Sequence, residues 1–188
     1  MREPSMNPEQ KEEILKKCFG YFVRHGLEGV TMRKMCEQTG IAVSSAYYWF
    51  GNKDKAILDA TEWGLKFVSD RLFDYVYRYR DNLECVILTF SEYAMKYKEE
   101  LRFVHQVATS QKYGSEMRPI ANRLTSVYDK YIATLASEFK CDENELRPYG
   151  YLFVSSVLDY VVWHDKPKME TEIACIFRSI RNIIEQNS

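Results

Sequence analysis

Apolar residues recur every three or four positions along almost the whole chain, which is the spacing of helices with one buried face. No segment shows the sustained alternation of apolar and polar residues that a half-buried strand requires. The pattern therefore predicts an all-α fold. The predicted helices cover residues 8–25, 31–39, 44–50, 52–80, 83–97, 100–112, 117–139, 144–164 and 169–186.

Proline, glycine and capping residues predict where these helices begin and end. Pro8 suits a first helical turn, and the pair His25-Gly26 suits a C-terminus. Thr31 is placed to cap the second helix, and Gly40 is placed to end it in a tight turn. The later helices are separated at Gly114, at Pro119, at the turn Cys141-Asp142-Glu143-Asn144 and at Lys166-Pro167-Lys168.

Two short helices joined by the turn at Gly40 have the spacing of a helix-turn-helix. In that motif the second helix enters the major groove of DNA and the first lies across it. The net charge of −1 is not that of a chain coated by nucleic acid, and the first 60 residues carry nine Lys and Arg against eight Asp and Glu. A DNA-binding surface would therefore depend on where single basic groups are placed.

The segment Thr31–Leu58 reads TMRKMCEQTGIAVSSAYYWFGNKDKAIL and resembles the DNA-binding signature of the TetR (tetracycline-repressor) family, with Tyr47, Phe50 and Lys53 in register. The resemblance covers about the first 60 residues and implies a homodimeric transcriptional regulator. It implies an N-terminal three-helix helix-turn-helix DNA-binding domain over residues 1–52 and a C-terminal helical effector-binding and dimerisation domain over residues 53–188. The implied function is that of a repressor that a small-molecule effector releases from a palindromic operator in double-stranded DNA.

The predicted DNA-contacting residues either reach phosphates or approach bases. The helix N-terminus at Thr31 can face a phosphate, and the cations Arg33 and Lys34 follow it. By the resemblance, Tyr47 hydrogen-bonds one phosphate and Lys53 pairs with another at the N-terminus of the long helix. The full predicted set is Thr31, Arg33, Lys34, Tyr47, Trp49 and Lys53, together with Val43, Ser44, Ser45 and Tyr48, which approach base edges. Ala46 and Phe50 are expected to face inward.

The chain departs from the family pattern at Ala42, Ser44 and Trp49. Ala42 stands where a serine often caps the recognition helix, so the cap is expected to be weaker by about 1 kcal/mol. Ser44 stands where glycine is common, and the indole of Trp49 is expected to pack against the neighbouring helix and to donate to a phosphate. Taken singly, the aromatic residues could form only a hydrophobic plug and the basic ones only a solvated face. Taken together with their spacing, they favour DNA binding.

Aromatic residues at helical spacing fill the segment after the helix-turn-helix, and most of them are expected in the core. In the TetR family the helices after the linker helix surround a small-molecule pocket, so some of these residues are candidates for its lining. The predicted pocket consists of Trp63, Phe67, Phe90, Glu92, Tyr93, Tyr97, His105 and Tyr128. Such a lining suits an apolar or cationic effector, and a Glu92 buried without a basic partner would favour a cation. For His105 the alternative is a core histidine with one hydrogen bond.

The last two predicted helices are more apolar than the exterior of a small domain requires. We expect them to form a four-helix dimer interface, so that a twofold axis sets two recognition helices about one DNA turn or slightly more apart. The predicted interface residues are Leu152, Phe153, Ser156, Val157, Tyr160, Ile173, Ile176, Phe177 and Ile180. The alternative is that these side chains only close the core of one chain.

The sequence carries no motif of an enzyme site. His25, His105 and His164 are far apart, and there is no H-E-x-x-H, no paired E-x-x-H, no phosphate-binding glycine loop and no G-x-S-x-G. Neither catalytic residues nor a metal or cofactor are therefore predicted. The alternative function is a helical protein-interaction or ligand-binding module that does not bind DNA.

The cysteines and the apolar runs indicate a reducing, aqueous compartment. The five cysteines are scattered without a C-x-x-C pair, so they are expected to be reduced and buried, unless the fold brings two of them together as a redox pair. No apolar run approaches the ~20 residues of a bilayer span, and Met1–Pro4 lacks the apolar segment of a signal peptide. The protein is therefore expected in the cytoplasm and away from membranes.

Overall fold

The computed structural model describes residues 7–187, apart from the side chains of residues 83 and 123–127. The helices of this part of the chain are α1 (Pro8–His25), α2 (Met32–Thr39), α3 (Val43–Phe50), α4 (Lys53–Arg78), α5 (Leu83–Met95), α6 (Lys98–Thr109), α7 (Gly114–Phe139), α8 (Glu143–Trp163) and α9 (Lys166–Asn187). Residues 7–187 contain no strand, so the predicted all-α fold class is confirmed. Over the same residues, no helix combines the length and the apolar character that a bilayer crossing demands. The N-terminal Met1–Pro4 lies outside the described residues.

Three residues predicted to separate helices lie inside them instead. Gly114 is the first residue of α7, and its N–H donates to the Ser110 carbonyl at 2.9 Å. Pro167 is in the first turn of α9, where proline costs no hydrogen bond because that N–H has no acceptor within the helix. Pro119 is an interior residue of α7. The chain passes from one compact unit to the next directly before Pro119.

The chain divides into two compact units. Unit 1 comprises the chain up to Phe67 together with Phe103–Arg118, and unit 2 comprises Val68–Arg102 and the chain from Pro119 onward. The chain therefore crosses between the units inside α4, α6 and α7. The predicted boundary between residues 52 and 53 separates a DNA-binding domain from an effector-binding and dimerisation domain, and this boundary stays a prediction.

Aromatic side chains of α1 form the centre of unit 1. Phe19 and Phe22 are buried, and both rings pack against Phe103, with centroids 5.9 and 6.3 Å from it. Phe19 also meets the ring of Trp63 edge to face at 5.9 Å. Gly64 of α4 lies so close that a Cβ built there would be 2.2 Å from the Phe19 ring. The missing side chain at Gly64 therefore lets α1 and α4 pack closely.

The centre of unit 2 is formed by α5, α8 and α9. Phe90 of α5 packs against Phe153 of α8 at 4.8 Å between ring centroids, and Phe153 meets Phe177 of α9 at 6.1 Å. These three side chains are buried, with exposures of 0%, 5% and 5%. The apolar faces of α8 and α9 are thus turned toward each other within one chain.

This packing favours the alternative that the sequence left open, in which most of the predicted interface residues close the core of one chain. Seven of them are buried in the single chain, namely Phe153, Ser156, Val157, Tyr160, Ile173, Ile176 and Phe177. Their side chains are thus packed mainly within one chain and leave little surface for a second copy. Leu152 is different, because it is 52% exposed, and Ile180 is half-buried. The dimer interface itself stays a prediction, and exposure on α8 favours the face that carries Leu152.

The cysteines are free, and only some of them are buried as expected. Cys18 and Cys36 are buried, whereas Cys175 is exposed. Burial, with a smaller effect of Cys36, raises the pKa of the Cys18 thiol to about 12. Cys18 therefore remains a neutral, unreactive thiol at physiological pH.

Candidate nucleic-acid interface

The first turn of α2 carries exposed basic side chains behind a capped N-terminus. The backbone of Thr31 is extended, and its Oγ1 accepts a hydrogen bond from the Lys34 N–H at 3.2 Å. Arg33 and Lys34 are exposed, and the Arg33 Nε donates to the Glu37 carboxylate at 3.1 Å. The cap predicted at Thr31 is confirmed, and it leaves Lys34 beside the positive end of the helix.

Gly40 makes the tight turn between α2 and α3. Its backbone is left-handed, with φ 73° and ψ 16°, and its N–H donates to the Cys36 carbonyl at 2.9 Å. Residues with a side chain rarely adopt this conformation. Ala42 then occupies the N-cap position of α3, where no side chain accepts a hydrogen bond from the first turn. The sequence predicts that α3 lacks this cap, and the structure confirms it.

Replacing Ala42 by serine is expected to raise the free energy of unfolding by about 1 kcal/mol. Ala42 is exposed and has φ −60° and ψ 135°, so a serine Oγ there can accept a hydrogen bond from the first turn of α3. Urea unfolding followed by circular dichroism measures the change. Ala42→Val, which adds volume without an acceptor, is the control. A serine variant no more stable than the valine variant would contradict the prediction.

One face of α3 is exposed and the other is buried. Ala46 and Phe50 are 0% and 4% exposed, as predicted for the inward face, and Ser45 is half-buried. The exposed face consists of Val43, Ser44, Tyr47 and Tyr48. Tyr47 and Tyr48 are 51% and 57% exposed, which is high for large aromatic side chains. This face presents hydroxyl and methyl groups and no charge.

Trp49 lies beside α1. It is half-buried and shares a groove with Glu9, Gln10, Glu13 and Ile14. Its Nε1 is buried and has no hydrogen-bond partner within the described part of the chain. Its position in this groove supports the expected packing against a neighbouring helix, which stays a prediction. The expected donation to a phosphate is wrong for this orientation, because the N–H is not accessible.

The first turn of α4 brings Lys53 close in sequence to α3. Gly51 ends α3 with φ 70°, and the Asn52 Oδ1 caps α4 by accepting a hydrogen bond from the Lys55 N–H at 2.9 Å. Lys53 is the first residue of α4 and is half-buried. A cation at a helix N-terminus is electrostatically unfavourable on its own, and a bound anion removes that cost. Lys53 is therefore well placed to take part in phosphate binding.

Asp54 joins this first turn to the segment between α6 and α7, and sequence reasoning missed the contact. The Asp54 Oδ1 accepts hydrogen bonds from the Lys112 Nζ at 2.6 Å and from the Tyr113 hydroxyl at 2.7 Å. The hydrogen bond from Lys112, followed by that from Tyr113, lowers the pKa of Asp54 from its ordinary value of 3.8. The donors are 58 and 59 positions away in the sequence, so no local pattern signals them.

The predicted effector-pocket residues are divided between the two units. Trp63, Phe67 and His105 lie in unit 1, and Phe90, Glu92, Tyr93, Tyr97 and Tyr128 lie in unit 2. Tyr128 is buried, with its hydroxyl 3.1 Å from the Ser69 Oγ. Glu92 is exposed, and its carboxylate lies 3.8 Å from the Lys166 Nζ. The condition that would favour a cationic effector, a buried Glu92 without a basic partner, is therefore not met.

Unit 2 contains an apolar cavity between side chains of α4, α7, α8 and α9. Its volume is about 60 Å³, and no charged side chain lines it. The lining includes Phe73 and Val76 of α4, and Gly150 of α8. It also includes four residues predicted for the dimer interface, namely Phe153, Ile176, Phe177 and Ile180, and none of those predicted for the effector pocket.

Comparison with known proteins supports the fold. No protein-family model matches the chain, and no curated protein matches it. Among solved structures, the chain is similar to a crystal structure from Rhodococcus sp. of a protein assigned to the TetR-family transcriptional regulators. The two share 17% sequence identity and a TM-score of 0.59, over 94% of this chain and 99% of that chain. The chain therefore has the fold that the resemblance at residues 31–58 implies.

Proposed function

We propose that this chain is a DNA-binding transcriptional regulator whose helix α3 enters the major groove of double-stranded DNA. The observation that carries the proposal is the exposed face of α3, where Tyr47 and Tyr48 are accessible while Ala46 and Phe50 hold the helix to the core. A helix presented in this way after a tight turn is the reading element of a helix-turn-helix. The likeness of the fold to a TetR-family regulator supports the same role.

Basic groups before and after α3 support phosphate binding. Lys34 lies in the first turn of α2, and Lys53 lies in the first turn of α4. Residues 31–55 contain four Lys and Arg against two Asp and Glu, although the whole chain has a net charge of −1. These cations would contact the backbone on either side of the groove and fix the register of α3. Bases would then be read through hydroxyl and methyl groups, by Val43, Ser44, Ser45 and Tyr48.

The active form in this proposal is a homodimer joined through the outer face of α8. We define this face by Tyr151, Leu152, Ser155, Val162 and Trp163, which are all exposed. At 3.6 residues per turn they cover about a third of the helix circumference. Trp163 is 73% exposed and Leu152 is 52% exposed, and such a patch favours a protein contact. A second copy related by a twofold axis would cover both patches and present two copies of α3 to two half-sites.

Replacing Leu152 by glutamate is expected to convert the dimer to monomers, because two like charges would meet near the twofold axis. Sedimentation equilibrium at micromolar concentration measures the change. Leu88→Glu is the matched control, since Leu88 is 69% exposed on α5, and this variant is expected to stay dimeric. DNA affinity is expected to fall when dimerisation is lost, because two linked half-sites bind more tightly than one. A Leu152→Glu variant that remains dimeric would contradict this interface.

A small apolar effector completes the proposal, in which the chain acts as a cytoplasmic repressor released from a palindromic operator. The apolar cavity of unit 2 supports an uncharged ligand. Its volume of about 60 Å³ is below that of common ligand sites, roughly 300–1,000 Å³, so a ligand would have to widen it. Phe73 and Val76 line the cavity and belong to α4, the helix that begins at Lys53. If a ligand that widens the cavity also shifts α4, effector binding and DNA binding would each weaken the other.

Selection from a random pool of DNA duplexes tests the proposed function. The full chain is immobilised, bound duplexes are recovered over several rounds, and the enriched sequences are read. We expect an inverted repeat whose half-site centres are about one helical turn, or slightly more, apart. Absence of enrichment, together with absence of binding to any duplex, would overturn the proposal in favour of an interaction module without DNA.

A further inference from the structure

We propose that Asp54, Lys112 and Tyr113 form a clasp that positions the first turn of α4 and thereby strengthens DNA binding. The inference rests on the proposed function, because the turn that is held is the one that carries Lys53. Asp54 directly follows Lys53, and its Oδ1 accepts one hydrogen bond from Lys112 at 2.6 Å and one from Tyr113 at 2.7 Å. All of these residues belong to unit 1. Asp54 is therefore a positioning residue, which acts through its neighbour.

The donors of the clasp are themselves held in place. Tyr113 is only 4% exposed, and its N–H donates to the Ser110 Oγ at 3.0 Å. The Lys112 Nζ lies 5.2 Å from the centroid of the Tyr113 ring, close enough for a cation–π contact. A single exposed ion pair fixes little, because two flexible side chains must be ordered to form it. Two donors that converge on one carboxylate oxygen, one of them buried, restrict the turn more strongly.

The negative charge of Asp54 opposes the proposed phosphate binding by its neighbour Lys53. A carboxylate beside Lys53 weakens the attraction of this turn for phosphates, so electrostatics alone predicts tighter DNA binding when Asp54 is removed. Asp54 is not needed to cap α4, because the Asn52 Oδ1 already accepts the hydrogen bond from the Lys55 N–H. If Asp54 acts by positioning, its removal weakens binding in spite of the lost negative charge. The two roles therefore predict changes of opposite sign.

Asp59 provides a matched control on the same helix. It pairs with Lys55 at 3.1 Å, four residues earlier on α4, so this ion pair does not join two segments. Asp54→Ala and Asp59→Ala each remove one negative charge from α4. We expect Asp54→Ala to bind a selected duplex about three- to tenfold more weakly than wild type, because the turn must then be ordered on binding. We expect Asp59→Ala to bind as tightly as wild type or slightly more tightly.

Tyr113→Phe tests the clasp without any change of charge. It keeps the buried ring and removes one donor, and it is expected to weaken DNA binding in the same direction as Asp54→Ala. Because Tyr113 and Asp54 act through one contact, the double variant is expected to bind no more weakly than Asp54→Ala alone. Independent losses that multiply in the double variant would overturn the clasp.

Hydrogen exchange of the free protein separates the failure of the clasp from that of the proposed function. Amide exchange in residues 53–57 is expected to be faster in Asp54→Ala and in Tyr113→Phe than in wild type, and unchanged in Asp59→Ala. Equal exchange in all four proteins, or an Asp54→Ala variant that binds DNA as tightly as Asp59→Ala, would overturn the clasp. A wild-type chain that binds no duplex would instead overturn the proposed function and the DNA role of the clasp, while the exchange result would still decide whether the turn is held.

Discussion

Gly64→Ala is expected to lower the free energy of unfolding by about 1–3 kcal/mol, whereas Gly20→Ala is expected to raise it by roughly 0.5–1 kcal/mol. Both glycines lie in helices of unit 1, and alanine is the better helix former at both. At Gly64 a Cβ would lie 2.2 Å from two atoms of the Phe19 ring, which is far below contact distance. At Gly20 no atom lies within 4 Å of the added Cβ. Steric overlap is therefore expected to determine the stability of Gly64→Ala, whereas helix propensity is expected to determine that of Gly20→Ala.

The ring of Phe19 has little room to move away from residue 64. It is 3% exposed and lies 5.9 Å from the rings of both Trp63 and Phe103. Urea unfolding of the two variants beside wild type measures the effects. If both variants gained stability, the close packing of α1 and α4 at Gly64 would be wrong.

Replacing Lys34 and Lys53 together by glutamate is expected to weaken binding to duplex DNA by at least about a hundredfold near 0.1 M salt. Each substitution removes a proposed phosphate contact and adds a charge that repels the backbone. Lys34 is exposed at the start of α2 and Lys53 is the first residue of α4, so neither side chain is part of the core. Fluorescence anisotropy with a labelled duplex measures the loss.

A double variant in unit 2 distinguishes the loss of local DNA contacts from a change in the net charge of the protein. Lys130 and Lys140 are both exposed, and their replacement by glutamate changes the net charge by the same amount. This control is expected to lose far less affinity, because salt screens charges that do not touch the DNA. Equal losses in the two double variants would contradict a binding surface at α2, α3 and α4.

Features that depend on neighbours in the sequence could be predicted from it. The cap at Thr31, the left-handed turn at Gly40 and the missing cap at Ala42 each involve residues three or four positions apart. The inward face of α3 follows from helical spacing in the same way. The helix-turn-helix and the all-α fold could therefore be recognised before the structure was known.

Features that depend on distant residues could not be predicted. In α8 both Leu152 and Phe153 are apolar, and periodicity does not tell which of them faces the core; Phe153 is 5% exposed and Leu152 is 52% exposed. The apolar cavity needs four helices to meet, and the contacts of Asp54 cross 58 and 59 residues. Seven of the nine residues predicted for the dimer interface are consequently buried within one chain, and the effector-pocket residues stay a prediction.

Salt dependence of DNA binding is the sharpest test of phosphate contact at the start of α4. The affinity of the full chain for a selected duplex is measured from about 50 to 200 mM salt, for wild type, Lys53→Ala and the control Lys130→Ala. We expect a steep linear fall of log affinity with log salt concentration, with a slope smaller by about 1 in Lys53→Ala and unchanged in Lys130→Ala. Binding that is insensitive to salt, or a slope that Lys53→Ala leaves unchanged, would contradict phosphate contact through the start of α4.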